Sequence, residues 1–192
     1  MVLLYQSGYV TIKEYNTDNL TYRLDFPNLE VKSSFLLYLS EVLLTTTSQT
    51  LINYPNVYDA LVHNDPDQFI KEVAKFFTTV SANPQPCREN AFVIGILALL
   101  YMSKDLWVDN ETPTQLGKAD ITVRNRDTVY VIEIKVDKKD GEALSQLKDK
   151  KYCDKYIEDH RYDSYSVVGI GINFNSKTRE IIDSEVISIR VK

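Results

Sequence analysis

Two carboxylates and one ammonium stand close together near the middle of this chain. Asp120 is followed thirteen residues later by Glu133-Ile134-Lys135. Carboxylates and a backbone carbonyl are hard oxygen ligands suited to Mg²⁺ or Mn²⁺. A cation held by them polarises a phosphoryl oxygen and acidifies a water. A lysine beside it can orient that water or balance charge building on phosphorus. The simpler reading of the same residues is a structural Asp–Lys or Glu–Lys ion pair in a hairpin, since short patterns of this kind recur by chance.

The elements around these residues must bring them together. Ile121-Thr122-Val123, a polar turn at Asn125-Arg126-Asp127, and Val129 through Val136 read as one β-hairpin. Side chains alternate along a strand, so Glu133 and Lys135 share a face with Val129 and Val131. Tyr130, Ile132, Ile134 and Val136 line the other face. Both faces therefore need cover, which fits a central strand packed between helices. An inward Glu and Lys on such a strand call for a partner or a metal. Asp120 is expected beside Glu133 across the ladder.

With these segments in view, the chain resembles the PD-(D/E)XK nuclease superfamily, and more closely its RecB-like branch found C-terminal to AAA-type ATPase-like domains in bacterial proteins. The resemblance rests on Leu116 to Ile121, Val129 to Lys135, Glu142 to Tyr156 and Val168 to Phe174. Leu4 to Lys13, Phe26 to Val31 and Asp59 to Phe77 resemble the linker and helices that precede the core in that branch. It implies a restriction-endonuclease-like α/β/α core with a mixed central sheet, and a metal-dependent nuclease acting on DNA, or on RNA. Asp120, Glu133 and the Ile134 carbonyl would hold Mg²⁺ or Mn²⁺, and Lys135 would be the catalytic lysine. Glu89 matches an acidic residue that completes the metal site, and Gln146 and Tyr152 match a Gln and Tyr that lean towards it. Glu111 also falls where the branch has a glutamate. Ala119 stands where proline is common and Lys118 where arginine is usual. After Glu89 the chain runs Asn90-Ala91-Phe92 rather than through an aromatic–histidine pair. The implied partners are nucleic acid, DNA before RNA, an AAA-type ATPase-like domain in cis or in trans, and a second copy in a homodimer. The chain begins where the branch's linker begins, as an excised C-terminal piece or a stand-alone relative would. The competing reading is a nuclease-fold module of little or no turnover that binds a protein or nucleic acid.

Composition bounds these readings. The 192 residues are 44% hydrophobic, with 13 tyrosines, enough for a real core. The longest apolar run, Ala91 to Met102, has the length of a buried helix and not of a membrane span. The N-terminus lacks a basic region and a cleavage site, so no signal peptide is expected. Cys87 and Cys153 give neither a disulfide framework nor a zinc pattern, and are expected as free thiols in a reducing cytoplasm. His63 and His160 are far apart and adjoin no candidate ligand. No glycine-rich phosphate loop is present, so the chain is not itself an ATPase.

The net charge of −5 argues mildly against avid nucleic-acid binding. The acidic excess is upstream: residues 1–112 carry 13 acidic and 7 basic side chains, whereas residues 113–162 carry 10 and 11. Lys148, Lys150, Lys151 and Lys155 are expected to crowd one helix, after Lys138 and Lys139. They serve equally as a solvated face or as a phosphate-tracking patch.

Upstream, Gly8 to Tyr15 and Thr21 to Phe26 read as a hairpin around Asn16-Thr17-Asp18-Asn19. Val31, Phe35, Leu39, Val42 and Leu43 fall on a helical period. A short helix is expected over Val57 to Val62. Asn64-Asp65-Pro66 caps another that runs to about Val80, with a core stripe of Phe69, Ile70, Val73, Phe76, Phe77 and Val80. Asn83-Pro84-Gln85-Pro86-Cys87 is the best linker signal. It divides a hairpin and helical region, 1–83, from a nuclease-like core, 84–192. In the core, Arg88 to Ser103 reads as a buried helix with Glu89 in its first turn, where a carboxylate also suits the helix dipole. A strand at Trp107 to Glu111, the hairpin, a helix over Glu142 to Ile157, a strand over Tyr165 to Phe174 and another within Glu180 to Val191 complete it. Gly169 and Gly171 mark a place where something packs close.

Overall fold

In a computed structural model, residues 2–45, 48–52, 54–80 and 87–190 are described. A short helix α1 (Val2–Gln6) leads into a hairpin of β1 (Thr11–Asn16) and β2 (Thr21–Asp25). Helices α2 (Leu29–Leu44), α3 (Ser48–Ile52), α4 (Asn56–Val62), α5 (Pro66–Thr79) and α6 (Glu89–Leu100) follow. The rest of the chain alternates strands and helices: β3 (Trp107–Thr114), β4 (Gly117–Arg124), β5 (Thr128–Val136), α7 (Glu142–Asp149), α8 (Asp154–Glu158), β6 (Ser166–Phe174) and β7 (Ile181–Arg190). A 3₁₀ turn at His160–Tyr162 separates α8 from β6.

Local chemistry sets several boundaries. Asp65 caps α5 by accepting from the Gln68 amide at 2.9 Å, with Pro66 in the first turn. Asn28 does the same for α2, accepting from the Val31 amide. The turn between β4 and β5 is closed by Asn125, whose Oδ1 accepts from the amides of Asp127 and Thr128.

The second sheet has the order β3-β4-β5-β6-β7. β5 and β6 are parallel and every other pair is antiparallel. Both central strands are buried nearly end to end, as strands covered on two faces should be. Tyr130, Ile132 and Ile134 join α2 to α6 in the larger apolar core. Val129 and Val131 join Leu147, Tyr152 and Tyr156 in a smaller one. The fold is α/β, a mixed sheet with helices on both faces preceded by a hairpin and helices, as the sequence implied.

Glycines set the helix spacing. A Cβ on Gly171 would lie 2.6 Å from the Leu144 amide nitrogen, and one on Gly169 would press on Leu147 at 3.0 Å. The close packing expected there is the contact of α7 with β6. On the other side, Gly95 of α6 receives Leu44 of α2, 2.8 Å from where a Cβ would be.

That contact corrects the face expected for α2. The buried ridge is Leu36, Ser40 and Leu44, while Val42 and Leu43 are exposed. The groove at Gly95 selects this i, i+4 row, and Ser40 is satisfied by the Leu36 carbonyl at 2.8 Å. The α5 stripe is as expected, with Ile70 only partly buried.

A second correction concerns 142–157, which is two helices. Lys151 takes a left-handed conformation (φ 51°). Its amide bonds to the Lys148 carbonyl at 3.0 Å and that of Tyr152 to Leu147 at 3.1 Å. This is a Schellman ending with lysine where glycine is usual. The four lysines therefore do not share one helix: Lys148 lies on α7, Lys150 and Lys151 in the break, and Lys155 on α8. The linker signal at 83–87 lies outside the described residues up to residue 86.

Candidate active site

The ladder between β4 and β5 runs from Arg124 opposite Val129 to Ile121 opposite Ile132. One step further, Asp120 adjoins Glu133. There the carboxylate replaces the ladder, as Asp120 Oδ2 accepts from the Ile134 amide at 2.8 Å. Cross-strand neighbours share a face, so Asp120, Glu133 and Lys135 all lie on the side covered by α7 and α8.

Lys135 is the hub. Its Nζ donates to Glu133 Oε1 at 2.8 Å and to the Ile134 carbonyl at 3.1 Å, and lies 4.0 Å from Glu89 Oε2. Glu89 sits in the first turn of α6 and enters from the opposite layer. Gln146 on α7 donates to Glu133 Oε1 and lies 3.3 Å from the Tyr152 hydroxyl. The backbone at Gly171, beside Glu133 in the β5–β6 register, admits α7 closely enough for this contact. Tyr152 in turn packs under Gly117, where a Cβ would lie 3.0 Å from its hydroxyl. Asp120, Glu133, Ile134, Lys135, Gln146 and Tyr152 are thus one cluster, with Glu89 joined through Lys135. Glu111 adjoins Asp120 on β3 but pairs with Lys118 at 2.9 Å, and both are exposed. Among the described residues, no three Asp, Glu, His or Cys side chains stand close enough to ligate one ion.

The electrostatics show a carboxylate in need of a counter-charge. Burial, and then repulsion from Asp120, push the Glu133 carboxyl up to about 7, against the pull of Lys135. Burial also raises Asp120, with Glu89 and Glu111 adding to it and the Ile134 amide and Lys135 opposing. Burial pulls the Lys135 ammonium down, but its hydrogen bond to Glu133 and the surrounding carboxylates hold it above the usual range. It is therefore a cation and not a free amine. Glu133 Oε2 is buried with no hydrogen-bond partner. An orphaned anionic oxygen beside a second raised carboxylate and a carbonyl fits a hard divalent cation.

Supports of the site went unseen in the sequence. Asn173, fully buried on β6, brackets Lys138 by accepting from its amide at 3.2 Å and donating to its carbonyl at 2.7 Å. Asp183 on β7 accepts from the Gly141 amide at 2.6 Å and pins the start of α7. Asn173 was signalled as a polar residue at an inward position of an otherwise apolar strand, whereas Asp183 stands among other polar residues of β7 and had no such signal. Asn64 ties the far end of the hairpin: its Oδ1 accepts from Tyr130 and Asn125, and its Nδ2 donates to Asp127.

A model of the PD-(D/E)XK nuclease superfamily matches residues 87–184, which include every member of this cluster. The chain belongs to that superfamily. It is also 30% identical over 195 residues to the "Uncharacterized protein in vnfD 5'region" of Azotobacter chroococcum mcd 1. The alignment covers 97% of this chain and 37% of that protein, so the chain spans little more than a third of its relative's length. Nucleases of this superfamily generally use divalent metal ions, which agrees with the hard-oxygen character of the cluster. No helix among the described residues is long and apolar enough to cross a membrane, and both cysteines are free and buried.

Proposed function

We propose that the chain is a Mg²⁺- or Mn²⁺-dependent nuclease that hydrolyses phosphodiester bonds, of DNA before RNA. The observation that carries this is the buried meeting of Asp120, Glu133 and Lys135 at the end of β5, with one Glu133 oxygen orphaned. Asp120, Glu133 and the Ile134 carbonyl would hold the cation, with Glu89 completing the set. When bound, a divalent cation would polarise a phosphoryl oxygen and lower the pKa of a water. Gln146 fixes the orientation of Glu133, and the Tyr152 hydroxyl holds Gln146 in turn. Lys135, kept charged by its carboxylate neighbours, offsets negative charge on the phosphoryl oxygens as it builds. The water oxygen bonds to phosphorus as the water gives up a proton to solvent, one ester P–O bond breaks, and the leaving oxygen takes a proton from solvent.

On this reading residues 84–192 are the catalytic core and 1–83 an accessory layer, in a RecB-like, cytoplasmic enzyme. An ATPase-like partner and a homodimer are further proposals that rest on the resemblance. A nuclease-fold binding module is the second reading, and the absence of three converging ligand side chains among the described residues favours it. The test is cleavage of labelled DNA with Mn²⁺ or Mg²⁺. Cleavage that is lost on chelation and in Glu133→Gln supports the nuclease. No cleavage by a folded wild type moves the weight to the binding module.

A further inference from the structure

The chain's single tryptophan, Trp107, lies at the start of edge strand β3 and is 57% exposed. Arg124, its cross-strand neighbour on β4, lies over the ring, 5.4 Å from the centroid. The same guanidinium lies 5.8 Å from the Tyr162 ring and donates to the Tyr162 hydroxyl at 3.4 Å. Tyr162 is wedged edge-on between Tyr156 and Tyr165. Arg124 makes no ion pair among the described residues, in contrast to Arg161, which is bound to Asp159. The result is a platform of one open indole and one arginine set between two aromatic rings.

Its position gives it meaning. Arg124 and Asp120 are four residues apart on β4 and share a sheet face, so the platform lies ~13 Å from the candidate active site. That is a few nucleotides along a strand. The cleft beneath the platform has a volume of only about 30 Å³, room for a water and not a base. A ligand must therefore stack on the outside of Trp107. Asp109 lines the same cleft and offsets Arg124, so attraction for phosphate is weak there. The larger cleft of about 520 Å³ by α8 sets Lys151 and Lys155 against Asp154, Glu158 and Asp159 and offers no net attraction either. Recognition at Trp107 would come from stacking, which any unpaired base can supply. Bases in a duplex are already stacked on each other and cannot.

We propose that Trp107, braced by Arg124 and Tyr162, is a stacking platform for single-stranded nucleic acid a few nucleotides from the cut, so that the substrate has an unpaired stretch. This rests on the nuclease reading for its setting but is tested apart from it. Because Trp107 is the only tryptophan, its fluorescence reports on the platform alone. The full chain is titrated, in a chelator and so without cleavage, with short oligothymidine, short oligouridine, and a DNA duplex of equal length. Either single strand should quench the emission saturably while the duplex does not. Arg124→Ala should weaken the fit about tenfold. Trp107→Ala, read by anisotropy of a labelled oligonucleotide, should weaken binding similarly with an unchanged circular dichroism spectrum. Absence of quenching by both single strands, or equal quenching by the duplex, overturns the proposal. Quenching without cleavage would sink the nuclease reading and leave the platform standing. Cleavage without quenching would do the reverse.

Discussion

Replacing Glu133 by Gln should remove much of the pH dependence of stability from the metal-free protein. The folded-state carboxyl titrates at about 7 against an ordinary 4.5. The folded chain thus keeps a proton that the unfolded chain releases. The raised pKa favours folding in full below pH 4.5, and that advantage drains away as pH rises towards 7, beyond which it is gone. The carboxyl is 1% exposed, so solvent screening does not erase the effect. Every tenfold difference in acidity between the folded and unfolded carboxyl corresponds to about 1.4 kcal/mol, which puts the change between pH 5 and pH 8 at about 2–3 kcal/mol. Gln keeps an oxygen for Gln146 and Lys135 and has nothing to titrate. Between pH 5 and 8 the melting temperature of the chelator-treated wild type should therefore fall relative to Glu133→Gln by roughly 5–10 °C. The assay is a pair of thermal unfolding series across that range. Mn²⁺ should restore the wild type most strongly at pH 8 and leave Glu133→Gln nearly unmoved. Parallel pH profiles for the two proteins would refute the reasoning, because they would mean that Glu133 ionises at no cost.

Further outcomes separate support from chemistry. Asp120→Ala should cost about 1–3 kcal/mol of stability, because the Ile134 amide loses its acceptor. Asp120→Asn, which keeps an acceptor, should recover most of that stability without recovering cleavage. Gly171→Ala should destabilise by more than about 1 kcal/mol in denaturant melts, since the new methyl group meets the Leu144 backbone rather than a movable side chain. It should also lower activity, because α7 carries Gln146. Asn64→Ala should cost about 1–3 kcal/mol by stripping partners from Tyr130 and Asn125 at the opposite end of the sheet. The turnover of the protein that remains folded should be unchanged.

The clustering of the candidate residues was more legible in the sequence than their surroundings. Alternation along Val129 to Val136 placed Glu133 and Lys135 on one face, and a hairpin of the right length brought Asp120 beside them. Both follow from the two-residue period of a strand, which is local. The glycines of β6 signalled a close approach, although only the structure shows that α7 makes it. The readings that failed depend on contacts distant in sequence or on backbone conformation. The buried face of α2 is chosen by the groove at Gly95, some fifty positions away from it. The break between α7 and α8 turns on Lys151 adopting a conformation that glycine usually announces. Asn173 and Asp183 carried no reading in the sequence and act as backbone clamps. The link between Glu89 and Lys135 joins two layers, and periodicity within either element could not reveal it.

On the nuclease reading, Asp120, Glu133 and Lys135 form a metal-dependent phosphodiesterase site. Single-turnover cleavage of labelled single-stranded and duplex DNA, and of RNA, with Mn²⁺ and then Mg²⁺, tests it most directly. Wild type would be run beside Lys135→Ala, Asp120→Asn and, as a folded control, Asn64→Ala. Cleavage by wild type and Asn64→Ala that is lost in the two site variants and in chelator is the predicted result. Cleavage that persists in Lys135→Ala or Asp120→Asn, or a folded wild type that cuts none of the substrates with either metal, would contradict it.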